Sequence, residues 1–357
     1  MSIANGPIDC DIHPSVPGIK ALLPYFPGHW ADAAVEQGFE DMESVLYPVN
    51  SPITARADWR PRDGARKAGT NLEQLREQGM DAFGSSIAIC NSVYGVHLLF
   101  SRDMAVAFAH AVNDWTAREW LDREPRLRSS IVLPLQAPDR AVEEMERLAG
   151  DRRFVQVLMP VSAEMPLGKP FYWPIYEAAD RLGLPVGIHA GSMFRQPTTS
   201  LGWPSYHSED YIAQAQGFQY ALASLLAEGV FAKFANLKFV FMESGFTWLP
   251  ACLWRMDKYW KGLRKEIPWV TRSPSDTVRD HVRFTLQPVD APPTSAQLER
   301  FFTHMGSDEM LLYSTDYPHW QFDGNEVLPK GMSAELARKI QFDNPLATYP
   351  RLREIPQ

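Results

Sequence analysis

Short apolar segments rich in valine and isoleucine recur along this chain and alternate with longer segments of helical periodicity. In "DRAVEEMERLAG", for example, Ala141, Met145 and Leu148 fall on one face of a helix. The predicted strands are 8–13, 86–90, 130–135, 154–159, 185–189, 239–243, 282–286 and 311–315. Strands that alternate with helices are typical of a parallel sheet, and this number of strands favours a closed α/β barrel, the (β/α)8 TIM barrel, over an open sheet.

The alternation extends over most of the chain, so we expect residues 1–357 to form a single domain. Two long segments interrupt it. Residues 14–70, rich in proline, separate the first two strands, and residues 191–208 follow the fifth strand. Connections of this length inside a compact domain usually have a function of their own. We predict that 14–70 is an insertion that acts as a lid or as an interface arm.

The formal net charge is −8 at pH 7, and the acidic residues are not gathered into a tail. This charge argues against nucleic acid and anionic membranes as partners. The sequence has neither an apolar window long enough to span a membrane nor the pattern of a signal peptide. Cys10, Cys90 and Cys252 lie far apart among apolar residues, as reduced thiols of a cytoplasmic protein do. We therefore expect a cytoplasmic protein whose partner is a small molecule.

Four of the predicted strands end on side chains that bind metals. Asp11 and His13 end the first strand, His189 the fifth, Glu243 the sixth and Asp316 the eighth. In a (β/α)8 barrel the C-terminal ends of the strands meet at one mouth, where functional residues collect. Imidazoles and carboxylates that converge there can hold one divalent ion such as zinc.

Each of these residues also has a purely structural interpretation. An Asp-x-His pair or a lone strand histidine can satisfy hydrogen bonds inside a core. Asp316 precedes Tyr317-Pro318 and is a suitable turn residue. Glu243 could stabilise the start of the following helix electrostatically. Four such coincidences at the same end of the strands are less plausible than one shared site.

Five segments resemble the amidohydrolase superfamily, namely "IDCDIHP", "PLGKPFYWPIYEAADRLGLPVGIHAG", "KFVFMESGFTWLP", "LLYSTDYPHW" and "IQFDNPLATYPRL". The resemblance is to the amidohydrolase-2 group, which includes aminocarboxymuconate-semialdehyde decarboxylase and the resorcylate-type decarboxylases. It implies a (β/α)8 barrel of the metal-dependent hydrolase type with one catalytic divalent ion. We expect zinc, with manganese as the alternative.

By the same resemblance, the metal ligands are Asp11, His13, His189 and Asp316. Several members of the group carry a histidine at the end of the sixth strand, where this chain has Glu243. A carboxylate that touches both a metal and its water can act as a general base. We assign that catalytic role to Asp316 or Glu243.

The residues allow more than one reaction. Our first expectation is a metal-dependent hydrolase that uses metal-activated water on a small cyclic or aromatic amide, imide or lactone. The alternative is a metal-dependent, non-oxidative decarboxylase of an aromatic or unsaturated carboxylic acid. Two histidines and a carboxylate also suit a non-haem iron oxygenase, and a barrel that only binds its ligand is a further alternative.

Aromatic and basic side chains follow two of the ligand strands and predict a pocket for a flat substrate. The candidate substrate-binding residues are Phe194, Arg195, Trp203, Tyr206, His207, His319 and Trp320. Arg195 could pair with an acid group of the substrate, although a solvated loop arginine is an equally good interpretation. The resemblance also implies a homo-oligomer, and we expect a dimer.

Overall fold

The structure, a computed structural model, describes residues 6–42, 54–61, 67–190, 197–319 and 326–354. Its centre is a sheet of eight parallel strands in the order β1 to β8, each strand pairing with the next in the chain. The strands are β1 Ile8–Ile12, β2 Ile87–Cys90, β3 Leu127–Val132, β4 Phe154–Pro160, β5 Val186–His189, β6 Phe239–Met242, β7 Val282–Thr285 and β8 Leu311–Leu312. The predicted (β/α)8 barrel is confirmed.

Backbone hydrogen bonds between β1 and the segment that follows β8 bring the two ends of the sheet together. The Cys10 N–H donates to the Tyr313 carbonyl at 2.9 Å, and the Asp316 N–H donates to the Asp11 carbonyl at 3.0 Å. The His13 N–H donates to the Tyr317 carbonyl at 2.7 Å. These bonds place the residues after β8 directly beside the end of β1.

Helices connect the strands and surround them, as a parallel sheet requires. They are α1 Ile19–Leu22, α2 Trp30–Glu36, α3 Leu72–Gln74, α4 Arg102–Thr116, α5 Pro138–Leu148, α6 Trp173–Leu182, α7 His207–Ala227, α8 Val230–Lys233, α9 Leu249–Leu263, α10 Pro274–His281, α11 Ser295–Met305, α12 Ala334–Arg338 and α13 Asn344–Thr348. The strands are buried along their whole length, which explains their nearly continuous apolar sequences. Among the described helices, none is both long and apolar enough to cross a membrane.

Two of the strands differ from the prediction by more than one residue at a boundary. The third strand was expected at 130–135 but is Leu127–Val132, because Pro134 has no N–H to donate to the ladder. The eighth was expected at 311–315 but is Leu311–Leu312. Beyond the end of β8, the Thr315 N–H donates to the side-chain carboxylate of Asp9 at 3.0 Å instead of to a backbone carbonyl of β1.

The described parts of the predicted insertion 14–70 pack against the barrel. Phe26 contacts Phe108 of α4 with ring centroids 4.8 Å apart. Near the mouth, the Arg56 N–H donates to the Pro318 carbonyl at 3.0 Å, and Trp59 packs on Tyr317 at 5.0 Å. Its role as a lid or interface arm and the extent of the single domain stay predictions, as does the dimer.

Candidate metal centre

Six ionisable side chains meet at the C-terminal mouth of the barrel and are called the mouth cluster below. They are Asp11, His13, His189, Glu243, Asp316 and His319. Two overlapping groups of four donor atoms, one per residue, each fit within 4.8 Å. The structure therefore brings together all five residues that the strand ends indicated and adds one from the loop after β8.

Backbone turns at two strand ends aim carboxylates into this mouth. Glu243 has a φ of 54° and Asp316 a φ of 57°, in the left-handed region that side chains with a Cβ rarely adopt. Each turn is held by a hydrogen bond, since the Glu243 N–H donates to the Thr285 hydroxyl at 3.2 Å and Asp316 is tied to Asp11 as above. Strained backbone of this kind concentrates at functional sites.

The imidazole of His13 lies at the centre of the mouth cluster. Its Nε2 is 3.2 Å from Asp11 Oδ1, 3.1 Å from Asp316 Oδ1 and 3.4 Å from Glu243 Oε1. His189 Nε2 is 3.2 Å from the same Glu243 oxygen. Donor atoms held about 2.1 Å from a single ion lie about 3 to 4.2 Å from one another. The spacing of the cluster therefore fits one divalent ion.

Hydrogen bonds to backbone carbonyls fix the tautomers of both strand histidines. His13 Nδ1 donates to the Asn91 carbonyl at 2.9 Å, and His189 Nδ1 donates to the Ala190 carbonyl at 2.7 Å. Each Nε2 then points at carboxylate oxygens of the mouth cluster. This arrangement is the usual outer support of a metal-binding histidine.

Several donor atoms of the cluster are buried without a hydrogen-bond partner among the described residues. They are Asp11 Oδ2, His13 Nε2, His189 Nε2, Glu243 Oε1 and Asp316 Oδ2. Buried polar atoms are normally satisfied, so five orphans in one place need an explanation. A bound cation satisfies all of them at once.

The electrostatics of the mouth favour positive charge. Burial opposes the charged form of His13, yet the Asp11 carboxylate raises its pKa well above the ordinary value. Burial likewise opposes the charge of His319, but Asp316 and Glu243 raise its pKa to about 10. The pKa of Asp316 is raised by burial and by the Glu243 carboxylate. Three carboxylates in so small a space attract protons or a metal ion.

A polar network inside the barrel supports the cluster from below. Asn91, directly after β2, donates from Nδ2 to Asp11 Oδ1 at 2.7 Å, while its carbonyl holds His13. The side-chain oxygen of Asn91 in turn accepts from Ser130 and, at 3.0 Å, from Gln156. One residue therefore orients two candidate ligands, and β3 and β4 hold it in place.

A second support lies one pleat deeper in β1. The buried Asp9 carboxylate accepts hydrogen bonds from the Thr315 hydroxyl at 2.6 Å and from the Thr315 N–H. Burial raises the pKa of Asp9 to about 7. This contact fixes the residue before Asp316 and so the direction of the turn.

Asn91 and Thr315 were not among the predicted site residues. Asn91 carries the same signal that identified the others, a polar side chain at the C-terminal end of a buried strand. Asn91 directly follows the strand in "IAICN", so this signal is present in the sequence. The contribution of Thr315 depends on a contact with a residue 306 positions away and has no sequence signal.

The predicted substrate-binding residues are distributed differently. Phe194, Arg195 and Trp320 lie outside the described residues. Trp203 and Tyr206 are exposed just before α7, and His207, the first residue of α7, packs on Tyr211 at 4.5 Å. His319 belongs to the mouth cluster, with Nδ1 2.6 Å from Asp316 Oδ1 and 3.2 Å from Glu243 Oε1. The roles assigned to these residues stay predictions.

A groove of about 680 Å³ opens beside the fifth strand. It runs between the segment after β4, the residues 197–200 before α7 and the middle of α7, and Val161, Met165, Thr198 and Tyr220 are among its lining residues. The Val161 N–H donates to the His189 carbonyl at 2.8 Å, so the groove begins next to a mouth residue. Its volume is in the range of small-molecule sites.

Comparison with known proteins gives a family and a set of related enzymes. An amidohydrolase family model matches residues 8–351. Gamma-resorcylate decarboxylase of Rhizobium sp. (strain MTP-10005) is 26% identical over 263 residues, which cover 71% of this chain and 79% of that protein.

Two solved structures show the same fold. A dihydroxybenzoic acid decarboxylase from Polaromonas sp. JS666, with bound manganese and the inhibitor 2-nitroresorcinol, has a TM-score of 0.66 and 19% identity over 97% of each chain. A 5-carboxyvanillate decarboxylase from Novosphingobium aromaticivorans DSM 12444, also with bound manganese, has a TM-score of 0.70 and 19% identity over 98% of each chain.

These comparisons contradict the predicted hydrolysis of an amide, imide or lactone. The sequence relative and both solved structures are decarboxylases, in agreement with the alternative. The prediction was wrong for a physical reason. Strand-end carboxylates and imidazoles predict where a metal ion is held, but they do not determine which substrate bond breaks beside it.

Proposed function

The chain belongs to the amidohydrolase family, and from this premise we propose that it is a metal-dependent carboxy-lyase that removes CO2 from an aromatic carboxylic acid without oxidation. Hydroxybenzoates are the proposed substrate class. The observation that carries the proposal is the mouth cluster, in which five buried donor atoms lack a hydrogen-bond partner among the described residues. The chain is also related to gamma-resorcylate decarboxylase over most of its length.

The proposed ion is divalent, and Asp11, His13, His189 and Asp316 are its proposed ligands. When bound, the ion supplies positive charge that draws the carboxylate of the substrate and a neighbouring hydroxyl into the mouth. We propose manganese rather than the zinc first expected. Carboxylate oxygens suit manganese, and both solved structures above hold it.

Decarboxylation breaks the bond between a ring carbon and the carboxylate carbon. The bonding electrons stay on the ring carbon, which takes up one proton as CO2 leaves. Asp316 and His319 are the pair proposed to supply that proton, because their side chains share a 2.6 Å hydrogen bond at the mouth. A proton taken from His319 by Asp316 can be replaced from solvent, since the His319 side chain is 20% exposed.

The substrate class also suits the groove beside β5. Apolar side chains such as Val161, Met165 and Leu167 line it together with the hydroxyl residues Thr198 and Ser200. A flat ring with one or two hydroxyl groups matches such a mixed lining. Trp203, Tyr206 and His207 remain proposed contacts on the α7 side.

The direct test is release of CO2. The manganese-loaded full chain is incubated with 2,6-dihydroxybenzoate, 5-carboxyvanillate, 2-hydroxybenzoate and benzoate, and both CO2 and the ring product are quantified. We expect one CO2 per product from at least one hydroxybenzoate, and one deuterium on the vacated ring carbon in D2O.

Asp316→Asn is the inactive variant for comparison, because it keeps the size of the side chain and removes the carboxylate. It should abolish turnover of the same substrate. Full manganese occupancy with no CO2 from any hydroxybenzoate would refute the proposal.

A further inference from the structure

We propose that Glu243 is a fifth protein ligand of the ion and that its negative charge makes the mouth prefer a hard cation, Mn²⁺, over Zn²⁺. The proposal rests on the proposed function only in taking the mouth cluster as a metal site. It changes the role of Glu243 from the general base expected above to a group that binds the ion itself.

The position of the Glu243 carboxylate is that of a ligand. Its Oε1 lies 3.2 Å from His189 Nε2 and 3.4 Å from His13 Nε2, the two nitrogens that face the mouth. The side chain is only 9% exposed, and Oε1 has no hydrogen-bond partner among the described residues. One cation at the centre of this group satisfies the oxygen and both nitrogens at once.

The backbone holds this carboxylate in place. Glu243 itself is in a left-handed conformation, and Gly245 follows with a φ of 61°. A Cβ on Gly245 would lie 2.7 Å from Asp290 Oδ2, and that carboxylate accepts the Phe246 N–H at 3.1 Å. The turn after β6 is therefore closely packed two residues beyond Glu243, which fixes the backbone that carries its side chain.

The charge of the cluster explains the preference for a hard cation. Asp11, Glu243 and Asp316 supply three carboxylates, and a divalent ion neutralises two of their charges. The remaining negative charge can be offset by the imidazole of His319, which contacts the carboxylates of both Glu243 and Asp316. Hard oxygen ligands favour manganese and magnesium, whereas imidazole-rich sites favour zinc and copper. A neutral residue at position 243 leaves a more zinc-like site.

The experiment compares metal binding by wild-type protein, Glu243→Gln and Glu243→His, all stripped of metal and free of substrate. MnCl2 and ZnCl2 are titrated separately by calorimetry, and bound manganese is observed by electron paramagnetic resonance. We expect Glu243→Gln to lose more than about 100-fold in Mn²⁺ affinity, beyond the range typical of groups that only orient a ligand. Zn²⁺ affinity should fall by less than about 10-fold in Glu243→Gln, and Glu243→His should bind Zn²⁺ better than Mn²⁺.

Ser244→Ala is the matched control in the same turn, because its hydroxyl donates only to the Gly245 carbonyl in the structure. It should leave both affinities unchanged. If Glu243→Gln does not fold, as judged by circular dichroism, Glu243→His serves in its place and should still shift the Mn²⁺/Zn²⁺ ratio toward zinc. Unchanged Mn²⁺ affinity in a folded variant that lacks the Glu243 carboxylate, or a weakening equal for both metals, would overturn the proposal.

The readout separates this proposal from the proposed function. A protein that binds Mn²⁺ through Glu243 but releases no CO2 would support the ligand and refute the decarboxylase. A decarboxylase whose metal affinities do not depend on residue 243 would do the reverse.

Discussion

Two groups of residues in this protein both combine histidines with carboxylates but differ in how the negative charge is neutralised. The mouth cluster combines histidines with buried carboxylates at the end of the barrel. The helix cluster, between α4 and α5, consists of His110, Asp114, Glu144 and Arg147. In the helix cluster Arg147 donates to Glu144 at 2.7 and 2.8 Å and to Asp114 at 2.8 Å. Within the described residues, no lysine or arginine forms such a pair with a carboxylate of the mouth cluster.

The difference marks the mouth cluster as the candidate metal centre. In the helix cluster Asn113 adds a 2.8 Å hydrogen bond to Glu144, so the buried charge is neutralised by side chains. In the mouth cluster the carboxylates face imidazole nitrogens, and five donor atoms have no hydrogen-bond partner among the described residues. A group of acidic residues and histidines is a candidate metal centre when no lysine or arginine neutralises its carboxylates, because a bound cation can then supply the positive charge.

The largest expected effect is loss of the ion on removing a mouth histidine. His189→Ala removes one of the two Nε2 atoms that face the Glu243 carboxylate. We expect a fall of more than about 100-fold in Mn²⁺ affinity, above the effect of losing a group that only orients a ligand. Metal content after gel filtration and calorimetric titration are the measurements.

His281→Ala is the matched control, since His281 is also buried and bonded to a backbone carbonyl but lies away from the mouth, beside Leu237. It should keep full metal content. Equal metal loss in both variants would mean that His189 acts through the fold and not as a ligand.

A smaller effect is expected when the support of the ligands is removed. Asn91→Ala deletes the amide that donates to Asp11 and is braced by Gln156. We expect Mn²⁺ affinity to fall by about 10- to 100-fold, as for other groups that orient ligands. Asn113→Ala, the corresponding change in the helix cluster, should lower the free energy of unfolding without changing Mn²⁺ affinity. An identical metal affinity in Asn91→Ala and wild type would remove Asn91 from the site.

The smallest effect concerns pH and the helix cluster. Hydrogen bonds to Asp114 and Glu144 raise the pKa of His110 to about 9 from an ordinary value of 6.5. The contribution of protonated His110 to the free energy of unfolding is therefore complete below pH 6.5 and is lost as the pH rises through about 9. Since the group is partly exposed, we expect His110→Gln to cost on the order of 1 kcal/mol at low pH.

The measurement is urea unfolding of His110→Gln and wild type at pH 6 and at pH values above 9, with metal content monitored in parallel. A destabilisation that is the same at both pH values would show that His110 acts through packing. Loss of metal in this variant would contradict the independence of the two clusters.

The sequence by itself determined the barrel and five of the six residues of the mouth cluster. Buried parallel strands are continuous apolar segments, so the alternation with helices was sufficient to predict the (β/α)8 fold. Asp11, His13, His189, Glu243 and Asp316 were identifiable because each ends such a segment, and strand ends of a closed barrel converge whatever the distance along the chain.

Only the tertiary structure decided how those side chains relate to one another. The left-handed turns at Glu243 and Asp316, the Asp9–Thr315 contact and the carbonyl that fixes His13 all depend on neighbours brought together by barrel closure. Contacts between residues distant in sequence leave no local pattern, because helix and strand periodicity records burial and not partners. That is why most of the composition of the site could be predicted, whereas the proposed role of Glu243 rests on the two imidazole nitrogens that lie 3.2 and 3.4 Å from its carboxylate.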